Sequence, residues 1–159
     1  MSHEVEIGRG KRGRRAYTLD DIALVPARRT RDPEDVNVGW QIDAYHVDLP
    51  LMAAPMDSVM SPETAIAFGR LGGIGVLDLD GLWTRYEDPE PILDQIAHLG
   101  EEESIATLQR VYSEPIKPTL ITERLTQLRE AGVVVAGKLS PQRVQQHWRA
   151  VVDAGVDLF

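Results

Sequence analysis

Apolar and polar positions recur along the chain with two different periods, and the switches between them mark out the elements. Leu51-Met52-Ala53-Ala54 is an apolar run of strand length between Pro50 and Pro55, and Met56-Asp57-Ser58-Val59-Met60 follows as a loop. Ser61-Pro62-Glu63 then opens a helix. The serine oxygen can take an orphan backbone N–H, proline suits the first turn, and the carboxylate meets the positive end of the dipole. Ala65, Ile66, Phe68 and Leu71 supply an apolar face, and Gly72-Gly73 a left-handed stop. Ile74-Gly75-Val76-Leu77 is a second buried-strand run. Strand, loop, helix and strand within about thirty residues make a βαβ unit, which requires parallel pairing.

Similar punctuation continues downstream. Asp88-Pro89 starts a helix with Ile92, Leu93, Ile96 and Leu99 inside and Gly100 at its end. Glu101-Glu102-Glu103 begins another, carried by Ile105, Leu108 and Val111 and stopping before Pro115. A third spans 118–131, with Ile121, Leu125 and Leu128 inside and Gly132 as stop. Val133-Val134-Val135-Ala136 is then a third strand. Ser140-Pro141 repeats the serine-proline start, and its helix runs through Val144, Trp148, Val151 and Val152 to Gly155. Val156-Asp157-Leu158-Phe159 begins a fourth strand. Upstream, residues 17–26 form a turn entering a short apolar segment, and the loose alternation over 36–47 predicts a hairpin covering one end of the core.

Four strands alternating with helices predict an α/β fold, either an open doubly wound sheet or a closed (β/α)8 barrel. A closed barrel takes ~250 residues, so this chain would be the amino-terminal portion of one. A chain stopping on strand residues leaves an unpaired apolar edge, which points to truncation. Residues 17–159 are therefore expected to be a partial TIM-barrel domain, incomplete at the carboxyl end.

Composition narrows the possibilities. The 159 residues are 43% hydrophobic, contain no cysteine and carry a net charge of −8. Disulfides, thiolate metal sites and a thiol nucleophile are removed together. The acidic balance argues against a nucleic-acid or anionic-membrane surface. With no run approaching the ~20 apolar residues of a membrane span and no apolar signal core at the start, the expected location is the cytoplasm. Residues 1–16 are expected to be a polar, flexible arm. Gly8-Arg9-Gly10-Lys11-Arg12-Gly13 fits G-x-G-x-x-G letter for letter, but the dinucleotide fingerprint needs a buried strand before it and a helix opening on it. Arg28, Arg29 and Arg31 form a basic cluster, either a solvated face or a phosphate-binding patch. Asp78-Leu79-Asp80-Gly81 offers two carboxylates, suited to turn chemistry or to a cation, although no third ligand follows at useful spacing.

LPLMAAPMDSVMSPETAIAFGRLGGIGVL, residues 49–77, resembles the start of the barrel in the IMP dehydrogenase/GMP reductase family. Pro50, Leu51, Pro55, Met56, Asp57, Val59 and Gly72-Gly73-Ile74-Gly75-Val76 carry the match. Thr18-Leu19-Asp20-Asp21-Ile22-Ala23-Leu24-Val25-Pro26 is similar to the segment that leads into that barrel. Only helical segments separate Leu77 from Val133, as in the short dehydrogenase-related proteins and GMP reductases that lack CBS regulatory modules.

The resemblance implies NAD(P)-linked hydride transfer at purine C2 of IMP, GMP or XMP. In that chemistry a cysteine thiolate adds to the purine, and family members place this cysteine on a later loop than any here. No catalytic residue and no metal ligand is therefore assigned within the chain, which alone would be inactive. NAD or NADP is the implied cofactor, with a monovalent cation in the full-length enzyme, and the implied assembly is a homo-oligomer, a tetramer or octamer. Ala54 and Met56 fall where the family lines the nucleotide base, and Asp57 where it shapes the substrate loop. Serine is common at the Ala54 position and histidine at Asp78, which faces the cofactor end. Arg28, Arg29 and Arg31 correspond to a segment reaching a neighbouring subunit's dinucleotide. The alternatives are a GMP reductase, a non-catalytic nucleotide-binding or assembly protein, and an unrelated half-barrel that dimerises.

Overall fold

A computed structural model of the chain describes residues 4–25 and 31–159. Two compact units divide it, 1–37 and 38–159. In the first unit, β1 (Glu4–Gly8) and β2 (Lys11–Arg14) form an antiparallel hairpin. The segment expected to be a flexible arm is thus paired, and its glycine pattern is turn chemistry. Gly10 sits at φ +70°, no helix opens on it, and both strands are almost wholly exposed. Leu19–Asp21 is a 3-10 turn closed by a Thr18–Asp21 capping box, its carboxylate 3.0 Å from the Thr18 N–H. Leu24 and Val25 beyond it are exposed and in no strand.

The second unit is built on a three-stranded parallel sheet in the order β5 (Met52–Ala53), β6 (Ile74–Asp78), β7 (Ala136–Lys138). Before it, β3 (Trp40–Ile42) and β4 (Tyr45–Val47) make the predicted hairpin. Helix α1 (Pro62–Arg70) starts as read. The Ser61 hydroxyl accepts the Thr64 N–H at 3.1 Å, and Thr64 Oγ1 accepts the Ser61 N–H at 2.7 Å. Helices α2 (Glu90–Ala97), α3 (Glu101–Val111) and α4 (Pro118–Glu130) fill the stretch between β6 and β7, and α5 (Pro141–Asp153) follows the second serine-proline pair.

Strand alternation divides the side chains between two faces. Ala53, Leu77, Val135 and Leu139 pack with Ile121, Leu125 and Leu128 of α4 and Val151 of α5 in the larger core. On the other face Ile74, Val76 and Ala136 meet Ile42 and Val47 of the hairpin. Gly75 permits the close approach of β6 to α1, since a Cβ there would lie 2.5 Å from Ala65 Cα.

Three expectations need correction. The third strand lies at 136–138 instead of 133–136, because Asp157 takes the Val135 hydrogen bonds: its carboxylate accepts the Val135 N–H and its own N–H reaches the Val135 carbonyl, both at 2.8 Å. The fourth strand is reduced to one parallel bridge, Ala136 to Leu158. Leu71, Ile105, Leu108, Trp148 and Val152, expected inside, are exposed. Periodicity gives them a helical face, but their helices meet the core along a narrower stripe.

Candidate functional site at the carboxyl ends of the parallel strands

Alternation along β6 places Asp78 on the same side as Ile74 and Val76, one step past the last apolar position. Along β7 it does the same for Lys138 after Ala136, and the ladder pairs Asp78 with Lys138. Lys138 Nζ lies 3.3 Å from Asp78 Oδ1 and 3.4 Å from Asp80 Oδ2. Asp80 Oδ2 also accepts the Ser140 N–H where α5 begins, and Asp78 Oδ1 accepts the Asp80 N–H at 3.0 Å. Burial works against the Lys138 charge, but the two carboxylates outweigh it and hold its pKa above the ordinary lysine value. The Asp78–Asp80 pair therefore serves as turn chemistry with a lysine as counter-ion. Among the described residues, no group of His, Cys, Asp and Glu side chains could hold a metal ion.

The loop after β5 is wound tightly, with the Val59 and Met60 N–H groups donating to the Met56 carbonyl at 2.9 and 2.8 Å. This winding turns Asp57 toward the loop after β6. Its Oδ2 accepts the Leu82 N–H at 2.8 Å and the Tyr112 hydroxyl, while Oδ1 is buried without a partner among the described residues. Burial pushes the Asp57 pKa above the ordinary 3.8, although the Tyr112 and Leu82 hydrogen bonds pull the other way. The Tyr112 hydroxyl is held protonated beyond its usual range, by burial first and then by Asp57.

A cavity of about 790 Å³ opens here, lined on one side by Met56, Asp57, Asp78 and Leu82 and on the other by Leu93, Ile96, Leu108 and Tyr112. Met56, Asp57 and Asp78 are thus brought together at one cavity. Ala54 is exposed and does not line the cavity. Arg31 is exposed in the amino-terminal unit, and Arg28 and Arg29 lie outside the described residues. A second cavity, about 560 Å³ and more apolar, lies against the sheet face carrying Met52, Val76 and Ala136.

Sequence reasoning missed Tyr112 and Lys138. No local signal marks Tyr112, whose hydrogen bond to Asp57 spans 55 positions. Lys138 did carry one, being the polar end of an alternation that begins at Val134. It missed Arg85 as well, a buried guanidinium that donates to the Asp80 carbonyl at 3.0 and 2.9 Å and to the Glu114 carbonyl, and stacks 5.6 Å over the Tyr112 ring.

These features define an α/β protein with its pocket where parallel strands end, the usual place for a ligand in such folds. The chain belongs to the IMP dehydrogenase / GMP reductase domain family, whose model matches residues 16–159. It is 43% identical over 160 residues to an uncharacterized oxidoreductase of Mycolicibacterium smegmatis, covering 98% of this chain and 43% of that protein. A similar protein of Mycobacterium tuberculosis is 42% identical with the same coverage. The inosine-5'-monophosphate dehydrogenase of Methanocaldococcus jannaschii matches more locally, 41% over 64 residues, which is 40% of this chain and 13% of that one. Among solved structures, an IMP dehydrogenase/GMP reductase-like protein from Corynebacterium glutamicum superposes with a TM-score of 0.82 at 42% identity, covering 98% of this chain and 43% of that one. The chain thus spans less than half the length of these full-coverage relatives.

Proposed function

We propose that the full-length protein is an NAD(P)-linked oxidoreductase of purine nucleotide metabolism, transferring hydride at C2 of IMP or GMP, and that this chain supplies the opening strands of its (β/α)8 barrel. The observation that carries the reading is the cavity at the ends of β5 and β6, in which Met56, Asp57 and Asp78 converge within the segment that carries the family's motifs. Met56 supplies an apolar surface for the purine, and Asp57 holds the loop that presents it. Alanine stands at position 54, where serine is usual in the family, and lies exposed outside this cavity.

The residues fit one end of a dinucleotide. The cavity's apolar walls suit a flat base or nicotinamide ring, and its carboxylates accept from ribose hydroxyls or a carboxamide N–H. Among the described residues no lysine or arginine lines it, so pyrophosphate contacts belong to other residues. When bound, the nicotinamide supplies the hydride chemistry. Because the 159 residues contain no cysteine, the covalent step of the family is carried elsewhere. The reading extends to a homo-oligomer working in the cytoplasm.

The test is to incubate the full-length protein with IMP and NAD, and separately with GMP and NADPH, while following absorbance of the reduced nicotinamide. Turnover in one direction supports the reading and decides between dehydrogenase and reductase. Nucleotide binding without turnover in either direction would replace it with a non-catalytic nucleotide-binding role.

A further inference from the structure

The wall of the cavity opposite the sheet is made by α2 and α3, which bury much less than α4. Helix α2 has no buried residue, and α3 has only Val111, at its last position, whereas α4 buries five side chains. Elements with so little buried surface open locally at low cost. The two ends of the helical pair are fixed, however. Pro89, just before α2, is fully buried. After α3, Arg85 ties the Glu114 carbonyl to the turn at Asp80, and just before it the Tyr86 hydroxyl donates to the Val111 carbonyl at 3.1 Å. Between these anchors the body of the pair touches the site through Leu93, Ile96 and Leu108, with Tyr112 reaching across to Asp57.

We propose that α2 and α3 form a lid over the nucleotide cavity, swinging between the Pro89 and Glu114 anchors and closing on a bound purine nucleotide, with the Tyr112–Asp57 and Tyr86–Val111 hydrogen bonds as its catch. The inference rests on the nucleotide reading above for the identity of the occupant, but the catch itself is a property of the empty protein. Leu93, Ile96 and Leu108 are half-buried or exposed without ligand, so a planar base between them and Met56 would remove apolar surface from water on both sides. Closure of this kind excludes water from a hydride-transfer site and commits the substrate.

Hydrogen–deuterium exchange of the full-length protein, with and without saturating IMP or GMP, tests this. Amides of 90–110 should exchange faster than those of α4 in the empty protein and become about tenfold or more protected when nucleotide is added. Tyr112→Phe removes only the hydroxyl. Losing one hydrogen bond to a charged group should accelerate exchange across 90–110 by about tenfold or more, weaken nucleotide binding and leave α4 unchanged. Glu103→Gln, exposed and on the opposite side of α3 from Tyr112, should change neither. Protection confined to 52–60 on nucleotide addition, with 90–110 unmoved, would overturn the lid while leaving the function intact. Exchange over 90–110 that is indifferent to Tyr112→Phe would overturn the catch. If Tyr112→Phe frees the helices but no purine nucleotide binds, the closing ligand and the proposed function fall together.

Discussion

Gly81 offers a direct test of whether Asp57 organises the rim. Its φ of −79° is open to any residue, so a Gly81→Ala substitution in a free position would stabilise the chain by about 0.4–1 kcal/mol through the unfolded state. Here the sign should reverse. A Cβ at Gly81 would overlap Asp57 Oδ1 and lie 2.7 Å from its Cγ, so the carboxylate must leave. Leaving breaks its bonds to the Leu82 N–H and the Tyr112 hydroxyl. Each hydrogen bond to a charged group contributes about 1.5–3 kcal/mol, part of which water restores, and forced repacking adds about 1–3 kcal/mol. A net loss of about 3 kcal/mol is expected, or about 6–12 °C in Tm for a domain of this size. The assay is denaturant unfolding of the wild type, Gly81→Ala, Asp57→Ala and the double variant. With Asp57 already truncated, Gly81→Ala should cost nothing, giving a coupling of about 2 kcal/mol or more. Additive losses would refute the claim that Gly81 is glycine in order to seat this carboxylate.

Two further outcomes follow from the same rim. Since the pKa of Asp57 is raised in the folded state, the stability it contributes is present below pH 3.8 and lost as pH climbs through its folded value; Asp57→Asn should therefore gain on the wild type over that window, read from unfolding curves at stepped pH. Lys138→Met should destabilise the chain by about 1 kcal/mol, a figure reduced for the solvent around the lysine, and because the folded Lys138 pKa is raised the deficit should hold steady from pH 6 to 10 and close above 10.5.

Much of the scaffold was legible because it is encoded locally. Ser61 and Ser140 each precede a proline that begins a helix, and the α4 positions Ile121, Leu125 and Leu128 are fully buried as their spacing requires. The third strand was placed three residues early because Val133-Val134-Val135 is the more apolar run, whereas the ladder is set by the backbone of Ala136, Gly137 and Lys138. Hydrophobic pattern reports burial, and pairing register depends on partners distant in sequence. The same distinction explains the site. Met56, Asp57 and Asp78 sit in or beside a motif, so they could be named in advance. Tyr112, Leu93 and Leu108 reach the cavity only through the packing of α2 and α3, and nothing local distinguishes them from other amphipathic positions. The exposed Ile105 and Val152 show the converse, apolar residues at helical spacing that stay half or more exposed.

The retention of Asp57 is the most informative choice at the rim. A half-buried carboxylate with one oxygen unpartnered is a poor device for stability alone, and its raised pKa records the cost. An uncharged side chain such as asparagine could accept the Leu82 N–H without the cost of burying a charge. What the carboxylate adds is simultaneous attachment of three parts that are far apart in sequence: the loop after β5, the turn after β6 and the end of α3. These are the floor, the side and the lid of one cavity. A local rule broken at the carboxyl ends of parallel strands, by a carboxylate that ties the parts of a cavity together, is the signature of a position held for its site. It also means that changes to Asp57 disturb the whole rim at once, whereas Tyr112→Phe leaves the Leu82 bond and Gly81 untouched and releases the end of α3 alone.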